Sequence, residues 1–172
     1  LEHLRTLYPE VQAYTEFEQM LETPGLDAVA IATPLRLHYP MAKACLQAGK
    51  HTLIEKPMAG SVAQCQELIA LAERKNLVLM VGHTYLYSEA LRRVKTLVEW
   101  DDVGSILYVS CRRLNLGLFQ QDINVFWDLA PHDLSILRYL LAELPTAISC
   151  TGKAHFQDGI EDVTAASLCY AG

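Results

Sequence analysis

Apolar and polar positions follow two rhythms along this chain, and the change between them divides it. Leu1, Leu4 and Leu7 fall at helical spacing and stop at Pro9, which predicts a first short helix. Val11 to Tyr14 reads as a short strand, and Thr15 with Glu18 has the spacing of a capping box opening a helix to about Leu21. After the Pro24-Gly25 turn, short continuous apolar runs alternate with amphipathic segments. Ala28 to Ala32 predicts a buried strand ending at Thr33-Pro34, then a helix through Leu37, Met41, Ala44, Cys45 and Ala48 that Gly49 terminates. His51 to Ile54 is the next strand, ending in Glu55-Lys56-Pro57. Ser61 and Gln64 form a second capping box, for a helix with Cys65, Leu68, Ile69 and Ala72 on one face. Leu77 to Val81 is a further buried strand, ending at Gly82-His83.

Strand alternating with helix, and strands that are apolar throughout, predict a parallel sheet with right-handed crossovers. Beyond His83 the rhythm changes. A helix from about Ser88 to Trp100 leads through Gly104 into a longer mixed segment, Ile106 to Leu114, read as a strand. A helix from about Leu129 to Leu141 follows, and two alternating strands, Ala147 to Ala154 and Val163 to Tyr170, close the chain. These later strands read as antiparallel and half exposed. The expected fold class is therefore α/β: a partial Rossmann-type parallel sheet over residues 1–83, then an α+β unit with a mostly antiparallel sheet over residues 84–172. The chain opens at Leu1 within a helical pattern and closes at Gly172 just after a strand, so both ends predict a fragment of something longer.

Composition narrows the class of partner. A formal charge of −6 argues against nucleic acid and against an anionic membrane surface, because both reward clustered Lys and Arg. No run has the length of a membrane helix. The five cysteines are odd in number, widely spaced and without a C-x-x-C pair. Reduced core thiols in a cytoplasmic protein are the expectation, and no metal site is predicted. Trp100 and Trp127 read as packing residues.

The chemistry gathers at strand ends. In open parallel sheets ligands bind at the carboxyl ends of strands, where Lys56 stands, held extended by the proline after it. An ammonium fixed there can donate to a substrate oxygen or, with a lowered pKa, shuttle a proton. The bland alternative is a surface lysine closing a strand. Thr33-Pro34 with His38, and His83, end neighbouring strands and converge on the same crevice, unless Thr33 only caps a helix and His83 is an ordinary loop residue.

In Trp127-Asp128-Leu129-Ala130-Pro131-His132-Asp133, Pro131 predicts a helix beginning close to Asp128. Asp128 and His132 then share one face, where the carboxylate can orient the imidazole and raise its pKa. Alternatively Asp128 is an N-cap and His132 a partly buried ring. Arg112, Arg113 and Asn115 end the first strand of the second unit, to meet a polar substrate or to solvate an edge. No G-x-G-x-x-G occurs anywhere in the chain.

The order Ala32-Thr33-Pro34 with His38, Glu55-Lys56-Pro57, Gly82-His83 and Asp128-x-x-x-His132 resembles the Gfo/Idh/MocA oxidoreductases, over essentially the whole chain. The resemblance implies NAD or NADP as cofactor. It further implies hydride transfer to or from a hydroxyl-bearing carbon of a sugar, nucleotide-sugar or cyclitol, and a homo-oligomer formed through the second sheet. Lys56 and His132 match the family's catalytic lysine and histidine, and Asp128 the acid that accompanies them. Thr33, Pro34, His38, Glu55, Lys56, Pro57 and His83 fall on the nicotinamide side of the cofactor site. Arg113, Asn115, Asp128 and His132 fall on the substrate side. The segment from Arg113 to Asp128 looks most like members acting on nucleotide-linked sugars, and the Lys56–Pro57 bond is expected to be cis. Without a glycine loop, this chain is expected to bind dinucleotide weakly. Two rivals stand beside this reading: a non-catalytic fragment used only in self-association, and Schiff-base chemistry at Lys56.

Overall fold

The computed structural model describes residues 2–100, 103–114 and 120–171. Two short helices, α1 (Glu2–Leu7) and α2 (Phe17–Leu21), come first. The strand expected over Val11 to Tyr14 does not form. Among the described residues no neighbour offers it a ladder, and the Tyr14 hydroxyl instead bonds Thr23 Oγ1 at 2.6 Å. The expected Thr15–Glu18 box is absent too: Glu16 occupies the cap position of α2 and its side chain caps nothing.

The parallel sheet is present, built from β1 (Ala28–Ile31), α3 (Leu35–Gln47), β2 (His51–Ile54), α4 (Val62–Lys75) and β3 (Leu79–Val81). β2 is central and pairs in parallel with both neighbours, Ile31 opposite Ile54 and Ile54 opposite Val81. That register matters for function. Two residues beyond each aligned position stand Thr33, Lys56 and His83, side by side along one sheet end.

Gly49 ends α3 as predicted. With φ at +77° it lets its own N–H reach Leu46 O at 3.1 Å while Lys50 N–H reaches Cys45 O at 2.9 Å. Ser61 caps α4, its Oγ accepting the Gln64 N–H at 3.3 Å, and the Gln64 side chain reaches back to the Gly60 N–H.

Val29, Ile31 and Ile54 pack with Ala42, Cys45 and Leu46 of α3 and with Leu68, Leu71 and Ala72 of α4. Burial at the centre of this core pushes the Cys45 thiol up to about 11. Because both helices cover the same face, the strands are not buried on two sides as their apolar runs suggest. Ala30, Leu53 and Met80 point to the other, open face. Ile69 also lies outside the core, 45% exposed, and Leu71 takes the place assigned to it.

After β3 comes a 3-10 turn (Thr84–Tyr87), then α5 (Glu89–Glu99), capped by Ser88 Oγ, which accepts the Leu91 N–H at 3.3 Å. Residues 106–114 form no strand. β4 (Ala147–Lys153) and β5 (Val163–Cys169) pair only with each other, antiparallel, and leave that segment no partner among the described residues. A gap of about 770 Å³ separates it from β5 and from α6 (Val125–Leu141).

Helix α6 begins before Asp128, since Asn124 Oδ1 caps it by accepting the Trp127 N–H at 2.9 Å. Pro131 therefore sits inside the helix and not in its first turn. β4 is exposed along its whole length, more open than the expected half-exposure. Two side-chain expectations also fail: Cys111, Cys150 and Cys169 are exposed, not core thiols, and Trp100 is 67% exposed. Among the described residues no helix is long and apolar enough to cross a membrane.

Candidate active site

Lys56 leaves the end of β2 through a cis peptide bond to Pro57. Its ammonium reaches Asp128 of α6, at 2.6 Å from Oδ1 and 2.8 Å from the backbone carbonyl. Both side chains are largely covered, at 18% and 23% exposure, so the pair is worth more than a surface contact. A second tie runs alongside: the Trp127 indole N–H donates to Ala59 O at 3.2 Å. These three bonds fix the start of α6 against the sheet's carboxyl end.

A cavity of about 240 Å³ opens there, bounded by Thr33, Pro34, His38, Glu55, Lys56 and Pro57 on the sheet side. Asp122, Ile123 and Asp128 close it from the other side. The Glu55 carboxylate lies against Gly82, where a Cβ would meet it at 3.0 Å and push it by a few tenths of an ångström. The Thr33 hydroxyl turns to the Met41 sulfur and caps no helix. His38 is 2% exposed, with Nδ1 2.8 Å from Pro57 O and Nε2 2.8 Å from Thr33 O. Its ring therefore ties the two strand-end turns together and has no nitrogen left for a ligand.

His132 is one turn beyond Asp128 and does not line this cavity. Its ring meets the Tyr85 ring edge to face, with centroids 4.9 Å apart. The sequence expectation that Asp128 raises its pKa is overturned. Burial, then the charges of Lys56 and Arg113 and the neighbouring His83, lower it against a smaller upward pull from Asp133. Burial lowers His83 as well. Both imidazoles are thus held neutral at neutral pH, and each keeps a buried Nδ1 that has no hydrogen-bond partner among the described residues. Unpaired buried polar atoms of this kind gather at sites that bind something.

Arg113 faces the same cluster. Its guanidinium makes a two-pronged bond to Asp133, Nε to Oδ2 and Nη2 to Oδ1, both at 2.9 Å, and lies over the Tyr85 ring at 5.2 Å. Two of its donors are thereby taken. Arg112 is exposed, and Asn115 lies outside the described residues. Tyr85 and Asp133 had no role in the sequence reading. Asp133 stands in the quoted motif next to His132, whereas Tyr85 sits in a turn that no periodicity marks.

Residues 5–83 match the profile of the family described as "Oxidoreductase family, NAD-binding Rossmann fold". The UDP-N-acetylglucosamine 3-dehydrogenase of Acidithiobacillus ferrooxidans is 32% identical over 146 residues, which cover 81% of this chain and 44% of that protein. The NADP-dependent scyllo-inositol 2-dehydrogenase of Bacillus subtilis is 26% identical over 126 residues, 73% of this chain and 34% of that protein. In fold the chain superposes on the apo scyllo-inositol dehydrogenase of Lactobacillus casei with a TM-score of 0.77 at 18% identity, covering 97% of this chain and 52% of that one. The chain spans less than half the length of these curated relatives. Its parallel sheet, its strand-end motifs and these matches make the chain a member of the Gfo/Idh/MocA oxidoreductase family.

Proposed function

We infer that the chain carries the reacting end of an NAD(P)-dependent oxidoreductase that moves a hydride between nicotinamide and a hydroxyl-bearing carbon of a sugar, nucleotide-sugar or cyclitol. The observation that carries this reading is Lys56, fixed by Asp128 at the rim of a cavity on the carboxyl end of a parallel sheet. The cavity has room for one substituted six-membered ring, and its rim offers an ammonium, a carboxylate and backbone carbonyls. It therefore fits a nicotinamide, which Thr33, Pro34, Glu55, Lys56 and Pro57 would hold, with His38 fixing two of their turns and His83 standing at the next strand end. When bound, the nicotinamide supplies the site that gives or takes the hydride.

The remaining work falls to side chains. Lys56 Nζ holds positive charge where the substrate oxygen becomes an alkoxide, and Asp128 aims it. His132, kept neutral by its surroundings, takes the hydroxyl proton on its ring during oxidation. In this reading Asp128 and His132 face the substrate, with Arg113 in the same cluster.

The test is reduction of NAD⁺ or NADP⁺ by a panel of sugars, nucleotide-sugars and cyclitols, followed at the reduced-nicotinamide absorbance. Slow turnover is expected, falling by about a hundredfold or more in Lys56→Met and in His132→Asn. Its acid limb should lie below the ordinary histidine range, because His132 must be neutral and its pKa is lowered. Turnover unchanged in both variants would contradict the assignment.

The division of the chain near residue 84 and its association into homo-oligomers belong to the same proposal. β4 exposes every residue and β5 leaves Val163 57% exposed, a surface that soluble proteins cover. Light scattering at high concentration should give a mass above the monomer, and a monomer throughout would remove this part.

A further inference from the structure

The residue four before His132 on its helix face does not hold its ring. Asp128 spends its carboxylate on Lys56, whose ammonium lies 2.6 Å from Oδ1. What touches the ring is Tyr85, which lies edge to face against it at 4.9 Å. On its other side Tyr85 meets the Arg113 guanidinium at 5.2 Å, and Asp133 grips that guanidinium with two bonds at 2.9 Å. Asp133 is the neighbour of His132 in sequence, so the chain of contacts leaves α6 at residue 133 and returns to it at 132.

We propose that Tyr85, backed by the Arg113–Asp133 fork, is the positioning residue of His132, while Asp128 positions only Lys56. The relevance of this to hydride transfer rests on the function inferred above; the packing relation itself does not. A T-shaped contact fixes the plane of the imidazole without giving it a hydrogen bond. It is compatible with a buried Nδ1 that has no partner among the described residues. It also leaves the ring's basicity to burial and to the charges around it: Lys56 from the end of β2, His83 from the end of β3, Arg113 from residues 106–114, and Asp133 from α6 itself. A carboxylate orienter would tie the ring's position to a raised proton affinity. An aromatic orienter separates the two, so the ring can be held firmly and still be neutral.

The site then consists of two separately built pairs. Lys56 with Asp128 supplies fixed positive charge, and His132 with Tyr85 supplies an oriented neutral base.

The test uses the 172-residue chain without any ligand, with the histidine ring resonances followed by NMR across pH and His132 assigned by its absence in His132→Asn. Three variants should move the His132 resonance differently. Tyr85→Ala, at a position 43% exposed and therefore tolerant of truncation, should remove the ring-current shift and move the titration upward as water enters. Tyr85→Phe, which keeps the ring, should restore both. Asp133→Asn, which removes a group pulling the titration up, should move it further down, and Asp128→Asn should leave it near the parent's. Thermal unfolding of each variant establishes that it is folded. If Asp128→Asn shifts His132 as far as Tyr85→Ala does, or if Tyr85→Ala leaves the resonance where it was, the proposal is overturned. Because no turnover is measured, a correct NMR pattern in a protein that moves no hydride would count against the enzymatic reading and leave the positioning relation standing.

Discussion

Asp128 accepts two bonds from a single ammonium, and the cost of losing it can be bounded. Removing one member of a fully buried pair costs about 3–5 kcal/mol, and of an exposed pair about 1 or less. Lys56 and Asp128 lie between these limits at 18% and 23% exposure. Asp128→Ala is therefore expected to destabilise the chain by roughly 1–2 kcal/mol in urea unfolding. The double variant Lys56→Met with Asp128→Leu should regain most of that, since it leaves no lone charge. Equal loss in the single and double variants would show that the stability resides in packing instead. Lys56 itself was legible in the sequence, because a strand pattern and Pro57 together specify where it stands. Its partner was not. The spacing of Asp128 and His132 says that they share a helix face, but not that a lysine 72 residues away takes the carboxylate first. Tyr85 was illegible for a related reason: it belongs to a 3-10 turn, whose contacts are set by the elements on either side.

At the level of elements, prediction worked wherever a segment carries its own cap or brings its own partner. Helices α4 and α5 are closed by their own serines, and β4 with β5 form a self-contained hairpin. It failed for residues 106–114, whose β-like composition needs a neighbouring ladder that the described residues do not provide. Pro131 misled in the opposite direction, since a cap at Asn124 and an apolar face were enough to carry the helix through it.

The connection between β4 and β5 carries its own pH dependence. Burial pushes the Asp162 carboxyl up, but the His155 ring and the N–H groups of His155 and Phe156 bond it at 2.7–2.9 Å and hold it below its ordinary value. A depressed carboxylate stabilises above its unfolded pKa, and that contribution is lost as pH falls through the folded one. Amide exchange at residues 155 and 156, taken relative to its intrinsic rate at each pH, should therefore become faster as the pH drops below the carboxylate range. In Asp162→Asn it should be fast at neutral pH already. Slow exchange at those amides in Asp162→Asn would assign their protection to the strands.

On the scale of the molecule, α6 is tied to the parallel sheet through Lys56 to Asp128 and Trp127 to Ala59. That tie lies at the sheet's carboxyl end, where Thr33, Lys56 and His83 align, beside the site proposed above. The sequence contains no G-x-G-x-x-G, so this chain lacks the loop that supplies most dinucleotide affinity in such folds. Each charge-assisted bond to the pyrophosphate is worth about 1.5–3 kcal/mol, and losing two weakens binding by roughly a hundredfold or more. The account therefore predicts weak cofactor binding with a definite polarity. Saturation-transfer NMR of the chain with NADH and NADPH measures that polarity directly. The nicotinamide protons should receive more saturation than the adenine protons, and Lys56→Met should abolish the difference. Stronger transfer to adenine, or a nicotinamide signal indifferent to Lys56→Met, would contradict the claim that the end of β2 holds the reacting ring.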